Sequence, residues 1–198
     1  PMWYGRDGMM VTTQFFALKT QRYLHEHGLD ERLLGEITAT ELHNSSLNPN
    51  AWRRNALSVD EIMDAQMVND PLISYMFCSP SEGGAAVVLA STEVARTISD
   101  RAVEVRSLEF RTRRFGTFEV FNPWLAAELT DSATVDAASA AFAAAGCRPS
   151  DVDVAQLQDT EAGAALMHLA ECGFCDHGEQ AELILDGGLG VHGRLPVN

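Results

Sequence analysis

A chain of 198 residues with 46% hydrophobic side chains is long enough for one large domain or two small ones, and apolar enough to bury a core. Its 14 basic against 28 acidic residues leave a net charge of −14, which argues against nucleic acid as a partner, although a small anionic ligand needs only a local basic patch. No window holds the long uncharged apolar run of a membrane helix and no basic-then-apolar leader opens the sequence, so the expectation is a soluble cytoplasmic protein with no membrane partner.

The opening, Pro1 to Met10, is aromatic and apolar without period, and because it starts on proline it reads as the middle of a longer chain. Thr12 and Thr13 then offer an N-cap, and Phe15, Phe16, Leu18, Lys19, Arg22 and Tyr23 make an amphipathic helix that stops before Gly28. His25 and His27 fall in its last turn, where cations complement the helix dipole. Asp30 caps a second helix through Leu33, Leu34, Ile37 and Leu42 to about Leu47, broken by Asn48-Pro49-Asn50. Arg53 and Arg54 follow directly, and arginine suits phosphate and nucleotide recognition; a solvated turn with two exposed charges is the other reading. Ser58 with Glu61 gives a capping-box start for a short helix, and Asp70-Pro71-Leu72 breaks the chain.

A turn at Ser81-Glu82-Gly83-Gly84 leads into the continuous apolar run Ala85 to Ala90, the pattern of a strand buried on both faces. Ser91 caps a brief helix, Thr92 to Ile98, and Ala102 to Phe110 alternates as a strand. Arg106, Arg111, Arg113 and Arg114 gather there and read as strand-edge charges, a role toward a nucleotide or an acidic partner being the other reading. Phe115 to Leu129, with Asn122-Pro123-Trp124, has little period and suits an active-site or interface loop. Ser132 caps a helix that is nearly all alanine and ends at Gly146.

In the last third, Val152, Val154 and Leu157 form a strand pattern that runs into Gln158-Asp159-Thr160-Glu161, then a small-residue helix and a glycine-punctuated tail. Polar side chains between a buried strand and the next helix sit at the mouth of an α/β sheet, where such sheets bind ligands. Cys172-Gly173-Phe174-Cys175 is formally a C-x-x-C, but redox motifs start a helix and this one ends one, so buried, reduced thiols are the reading and no metal site is expected.

Several of these segments, in order, carry a resemblance. Asp151-Val152-Asp153, Gln158-Asp159, Cys172-Gly173-Phe174-Cys175, Gly178-Glu179, Asp186-Gly187 and Gly193-Arg194-Leu195-Pro196-Val197-Asn198 resemble successive motifs of the thiolase superfamily, of the lipid-transfer-protein-like and sterol-carrier-like kind. His43-Asn44-Ser45-Ser46-Leu47-Asn48-Pro49-Asn50-Ala51 and Ser81 to Leu89 resemble two more.

The resemblance implies an α/β protein with the thiolase fold, layered α-β-α-β-α, of which only the loop domain and parts of the two halves are present. Residues 1–80 correspond to the helical loop-domain region of the first half, 81–100 to its closing strand and helix, and 101–198 to the opening part of the second half. It implies acyl-CoA as substrate, coenzyme A entering only as part of it and no other cofactor, and a homodimer or a small partner protein. Carbon–carbon bond cleavage or formation with acyl transfer is the implied activity, retro-aldol cleavage of steroid side-chain CoA esters an alternative, and a non-catalytic acyl-CoA or lipid-binding subunit a third. The nucleophilic cysteine would lie before Pro1, and the histidine and second cysteine after Asn198.

Residue by residue, Gln158 matches an oxyanion-hole position usually held by Asn, His or Tyr, and its amide donates as theirs would. Asp159 follows it in the motif, and Glu161 stands where the family has an apolar residue, so its carboxylate either reaches water or has a raised pKa. Arg53, Arg54 and His43 are the CoA-contacting candidates of the loop domain. A retro-aldolase would need a proton carrier other than Gln158, with Tyr75 or Glu161 available, and Met76 stands where close relatives have Asp.

Overall fold

The computed structural model describes residues 6, 8, 11–112 and 132–198. Most of the aromatic opening, Arg113, Arg114 and the loop expected between Phe115 and Leu129 lie outside the described residues.

Helix α1 spans Thr12–His27, with Val11 rather than a threonine at its N-cap; Gln14 Oε1 accepts from the Val11 N–H at 3.1 Å and so meets a free amide at the helix start. Gly28, at φ 62°, ends it in the left-handed conformation that favours glycine. Helix α2, Arg32–Ser46, starts beside Asp30, whose Oδ1 accepts from the Arg32 N–H at 2.8 Å. Its stripe Leu33, Leu34, Ile37, Thr38, Leu42 and Asn44 is buried. The expected capping box opens helix α3, Val59–Met63: Ser58 Oγ accepts from the Glu61 N–H, and Glu61 Oε2 accepts from the Ser58 N–H at 2.8 Å.

A small antiparallel hairpin follows, β1 (Met67–Asn69) with β2 (Leu72–Ile73), pairing Met67 with Ile73 and Asn69 with Leu72. A 3-10 turn, Ser74–Met76, leaves it. Helices α4 (Thr92–Ile98) and α5 (Ala133–Ala145) are capped by Ser91 and Ser132 as the sequence predicts, and α5 stops on Gly146 at φ 64°. Helix α6, Ala162–Glu171, is capped by Glu161, whose Oε2 accepts from the Ala164 N–H at 2.8 Å. A further short helix, α7 (Gln180–Leu185), interrupts the tail, where none is expected from its glycines.

The core lies between α2, α3, α6 and α7, with α1 laid along α6; Leu34, Ile62, Leu72 and Leu166 are completely buried. Each such side chain contributes about 1.5–3 kcal/mol relative to exposure. Helices α1 and α6 meet at Gly163, where an added Cβ would come within 2.0 Å of Thr20 Oγ1, so the small-residue face of α6 is what lets the two backbones approach.

Three strand expectations are corrected. The run Ala85 to Ala90 forms no strand, with Val87 89% and Val88 94% exposed, because no strand among the described residues lies beside it to cover either face. Residues 102–112 likewise form no strand; side chains hold them along α5 instead, Ser107 Oγ donating to Ala141 O at 2.9 Å and Arg106 Nη2 to Ala145 O. Between Val152 and Leu157 there is a single parallel bridge, Ala155 with Val197, and Ala155 rather than Val154 points into the core. The alanine helix has no fully buried residue, since α6 and the 102–112 segment cover only part of it.

Candidate functional site

A cleft of about 280 Å³ opens between the second half of α2, the loop through Arg53, the turn Tyr75–Ser79, Asp159 and Asn198. Helical spacing puts Thr38, Glu41 and Ser45 of α2 on one wall. Ser45 Oγ donates to Arg53 O at 2.7 Å and fixes the loop to the helix. The Arg53 guanidinium reaches across to the next wall, Nη1 donating to Tyr75 O at 3.2 Å and Nη2 to Ser79 Oγ. That wall is joined to the Asp159 segment by the Cys78 N–H donating to Thr160 O at 3.1 Å and by a bridge between Phe77 and Glu161.

The floor is made by the tail. Asn44 Nδ2, buried under α2, donates to Val197 O at 2.9 Å and to Leu189 O at 3.2 Å. Asn198 Oδ1 accepts from the Leu157 N–H at 2.8 Å, and the Asn198 N–H donates to Ala155 O at 3.2 Å. Three buried polar atoms gather on this side without a hydrogen-bond partner: Glu41 Oε1, Asn44 Oδ1 and Asn198 Nδ2. A buried orphan of this kind costs about 1–3 kcal/mol, more when charged.

Glu41 answers that cost by holding its proton. Burial, and then the Asp159 charge, push its carboxyl up from 4.5 to about 8. The Asn198 side chain pulls the other way, but neither its Nδ2 nor Glu41 Oε1 has hydrogen-bond geometry, so the two are near neighbours rather than a bonded pair.

Of the residues singled out in the sequence, Arg53 and Asp159 meet in this cleft, and Tyr75 lines it with them. Gln158, next to Asp159, is exposed and is not on the lining; His43 and Arg54 are exposed on the outer side of the same helix end and loop. Glu161 does not reach water: it is 2% exposed, and its pKa is raised by burial against the opposing pull of the Ala164 and Gly163 N–H groups and the Lys19 and His168 charges. It therefore serves α6 as a cap and stands outside the cleft.

Glu41 is a cleft residue that sequence reasoning passes over, and Asn198 enters it only as the last residue of a motif. For Glu41 a signal exists, because it continues the inward stripe Leu34, Ile37, Thr38 of α2 with a carboxylate. Among the described residues no group of three or more His, Cys, Asp or Glu side chains is placed to hold a metal, and no helix is long and apolar enough to cross a membrane.

Comparison with known proteins gives consistent likenesses. Residues 124–198 match a family described as thiolase C-terminal domain-like. The acetyl-CoA acetyltransferase of Methanothermobacter thermautotrophicus is 29% identical over 99% of this chain and 50% of its own length. The steroid side-chain-cleaving aldolase of Thermomonospora curvata is 28% identical over 99% of this chain and 50% of its own, and sterol carrier protein 2 of Gallus gallus is 27% identical over 98% and 36%. A solved structure described as an Ltp2-ChsH2(DUF35) aldolase superposes on 100% of this chain and 52% of its own, with a TM-score of 0.88 and 28% identity. The chain spans about half the length of the first two of these relatives.

Proposed function

Because the chain has a thiolase-like fold, partial against the full length of its relatives, we propose that the protein acts on acyl-CoA thioesters, cleaving or forming the carbon–carbon bond next to the thioester carbonyl. The observation that carries this reading is the convergence of two motif segments, the loop bearing Arg53 and the segment bearing Asp159, on one cleft floored by Asn198. Claisen chemistry needs a thiolate to hold the acyl group, a base at the α-carbon and donors for the enolate oxygen. In this reading the Gln158 amide, exposed beside Asp159 in the chain, supplies such a donor. Arg54 and His43, exposed next to Arg53, meet the anionic part of coenzyme A, while Arg53 itself holds the cleft wall in place. The protein works in the cytoplasm, as a homodimer or with a small partner protein.

A second reading, retro-aldol cleavage of a hydroxyacyl-CoA, is favoured by the superposition of the whole chain on an aldolase that carries a DUF35 partner in its description. Retro-aldol cleavage uses proton carriers and no thiolate, and Tyr75 lines the cleft.

One experiment separates the two. The full-length protein is given a 3-oxoacyl-CoA with coenzyme A, and separately a 3-hydroxyacyl-CoA, and products are identified by mass. A new, shorter acyl-CoA from the first supports acyl transfer; a free carbonyl compound from the second, with no added coenzyme A, supports the aldol reading. Turnover of neither refutes the proposed function.

A further inference from the structure

We propose that Glu41 is the proton donor of the cleft, passing its carboxyl proton to the α-carbon of the enolate left when the carbon–carbon bond breaks. This rests on the acyl-CoA reading above. Glu41 lies on the α2 wall of the 280 Å³ cleft, opposite Asp159 and beside Asn198. Its Oε1 is sealed from solvent and has no partner, and the Asn198 Nδ2 near it has none either. On its inner side it borders the apolar pocket formed by Ile37, Leu157, Ala165, Leu169 and Val197, which supplies no counter-charge. Glu41 is thus the ionisable side chain that the cleft lining and this apolar pocket share.

The surrounding groups set its protonation. Asp159 faces it from the segment before α6 and adds a like charge, which disfavours a second carboxylate. From the remaining walls come Arg53, directed at Tyr75 O and Ser79 Oγ, and the phenol of Tyr75 and thiol of Cys78. None of these pairs with Glu41. Its carboxyl therefore stays protonated near neutrality, with a pKa of about 8, close to the working pH that general acid–base catalysis favours.

The step balances without any co-reactant beyond water. When the bond to the α-carbon breaks in a 3-hydroxyacyl thioester, its electron pair remains on the thioester fragment as an enolate, while the β-hydroxyl gives its proton to water and its carbon leaves as a carbonyl. The Glu41 O–H bond then breaks as a C–H bond forms at that carbon, and the Glu41 carboxylate regains a proton from water at the cleft mouth. Run in reverse, the same carboxylate removes an α-proton.

That reverse step is the test. The full-length protein is incubated with acetyl-CoA in deuterated water, binding is measured by calorimetry, and deuterium at the α-carbon is followed by mass. Glu41→Gln is expected to slow exchange by roughly 10²–10⁴-fold while acetyl-CoA still binds as it does to the wild type. Binding with unaltered exchange in Glu41→Gln, or wild-type binding with no exchange, overturns the role of Glu41 and leaves the acyl-CoA reading standing. A wild type that does not bind acetyl-CoA removes the reading itself, and the role with it.

Should Glu41→Gln fail to fold, infrared titration decides. With the other buried carboxyl removed by Glu161→Gln, the spectrum is expected to show a buried protonated carboxyl at pH 7 that disappears on titration through about 8. No such band at pH 7 overturns the proposal.

Discussion

Asn44→Ala is the substitution that tests how the cleft is assembled. The wild-type amide donates to Val197 O at 2.9 Å and to Leu189 O at 3.2 Å, tying α2 to the tail. Two neutral hydrogen bonds contribute about 1 kcal/mol each. Losing them also strips a donor from Val197 O, on a residue only 4% exposed, at a further cost of about 1–3 kcal/mol. Leu189 O suffers less, because it keeps the Val197 N–H at 3.1 Å. The unpartnered Oδ1 leaves with the side chain and offsets roughly 1 kcal/mol. The net expectation is a loss of about 2–4 kcal/mol, read as a lower urea midpoint at unchanged slope. Asn44→Asp should lose more, since it sets a carboxylate against two carbonyl oxygens. A stability within about 0.5 kcal/mol of wild type for Asn44→Ala, the range of ordinary surface changes, would refute the claim that this amide holds the tail.

Other perturbations give equally definite outcomes. The Glu41 carboxyl is raised from 4.5 to about 8, so the folded state binds the extra proton in between; stability is full below 4.5, falls by up to about 5 kcal/mol as pH rises through about 8, and Glu41→Gln should flatten that fall in urea titrations between pH 5 and 9. Gly163→Ala drives a methyl to within 2.0 Å of Thr20 Oγ1 and should cost about 1–3 kcal/mol, part of it recovered in the double variant with Thr20→Ala, as thermal melts would show. Glu161→Ala leaves the Ala164 N–H uncapped and should destabilise by about 0.5–2 kcal/mol, whereas Glu161→Gln retains an acceptor and should lose less in the same melts.

What the sequence made legible was local. Ser58, Ser91 and Ser132 mark helix starts because a side-chain oxygen and an N–H a turn away are all a cap requires, and Gly28 and Gly146 mark ends because few other residues tolerate positive φ. The strands read from Val87-Val88-Leu89 and Val103-Glu104-Val105 fared differently. Strand formation depends on a neighbour, and apolar patterning records only a readiness to pair. The candidate site divides along the same line. Arg53 and Asp159 could be found by motif, but Glu41 matters through its burial beside Asp159 and Asn198, which lie over a hundred positions further along the chain. Glu161 shows the converse, a motif-adjacent carboxylate whose observed work is to cap a helix.

The threads that close the cleft floor join residues 145 and 153 positions apart. Contacts of such separation are slow to form, because the entropy of closing a long loop is met before the contact gives anything back, while helices such as α1 and α2 need only their near neighbours. In the order of folding, the helices come early and the cleft late. A chain caught midway would show most of its helical circular dichroism and bind no ligand. Recovery of binding after dilution from denaturant should therefore lag behind recovery of helix, and a ligand seated on Asn198 would act chiefly by slowing the release of the tail.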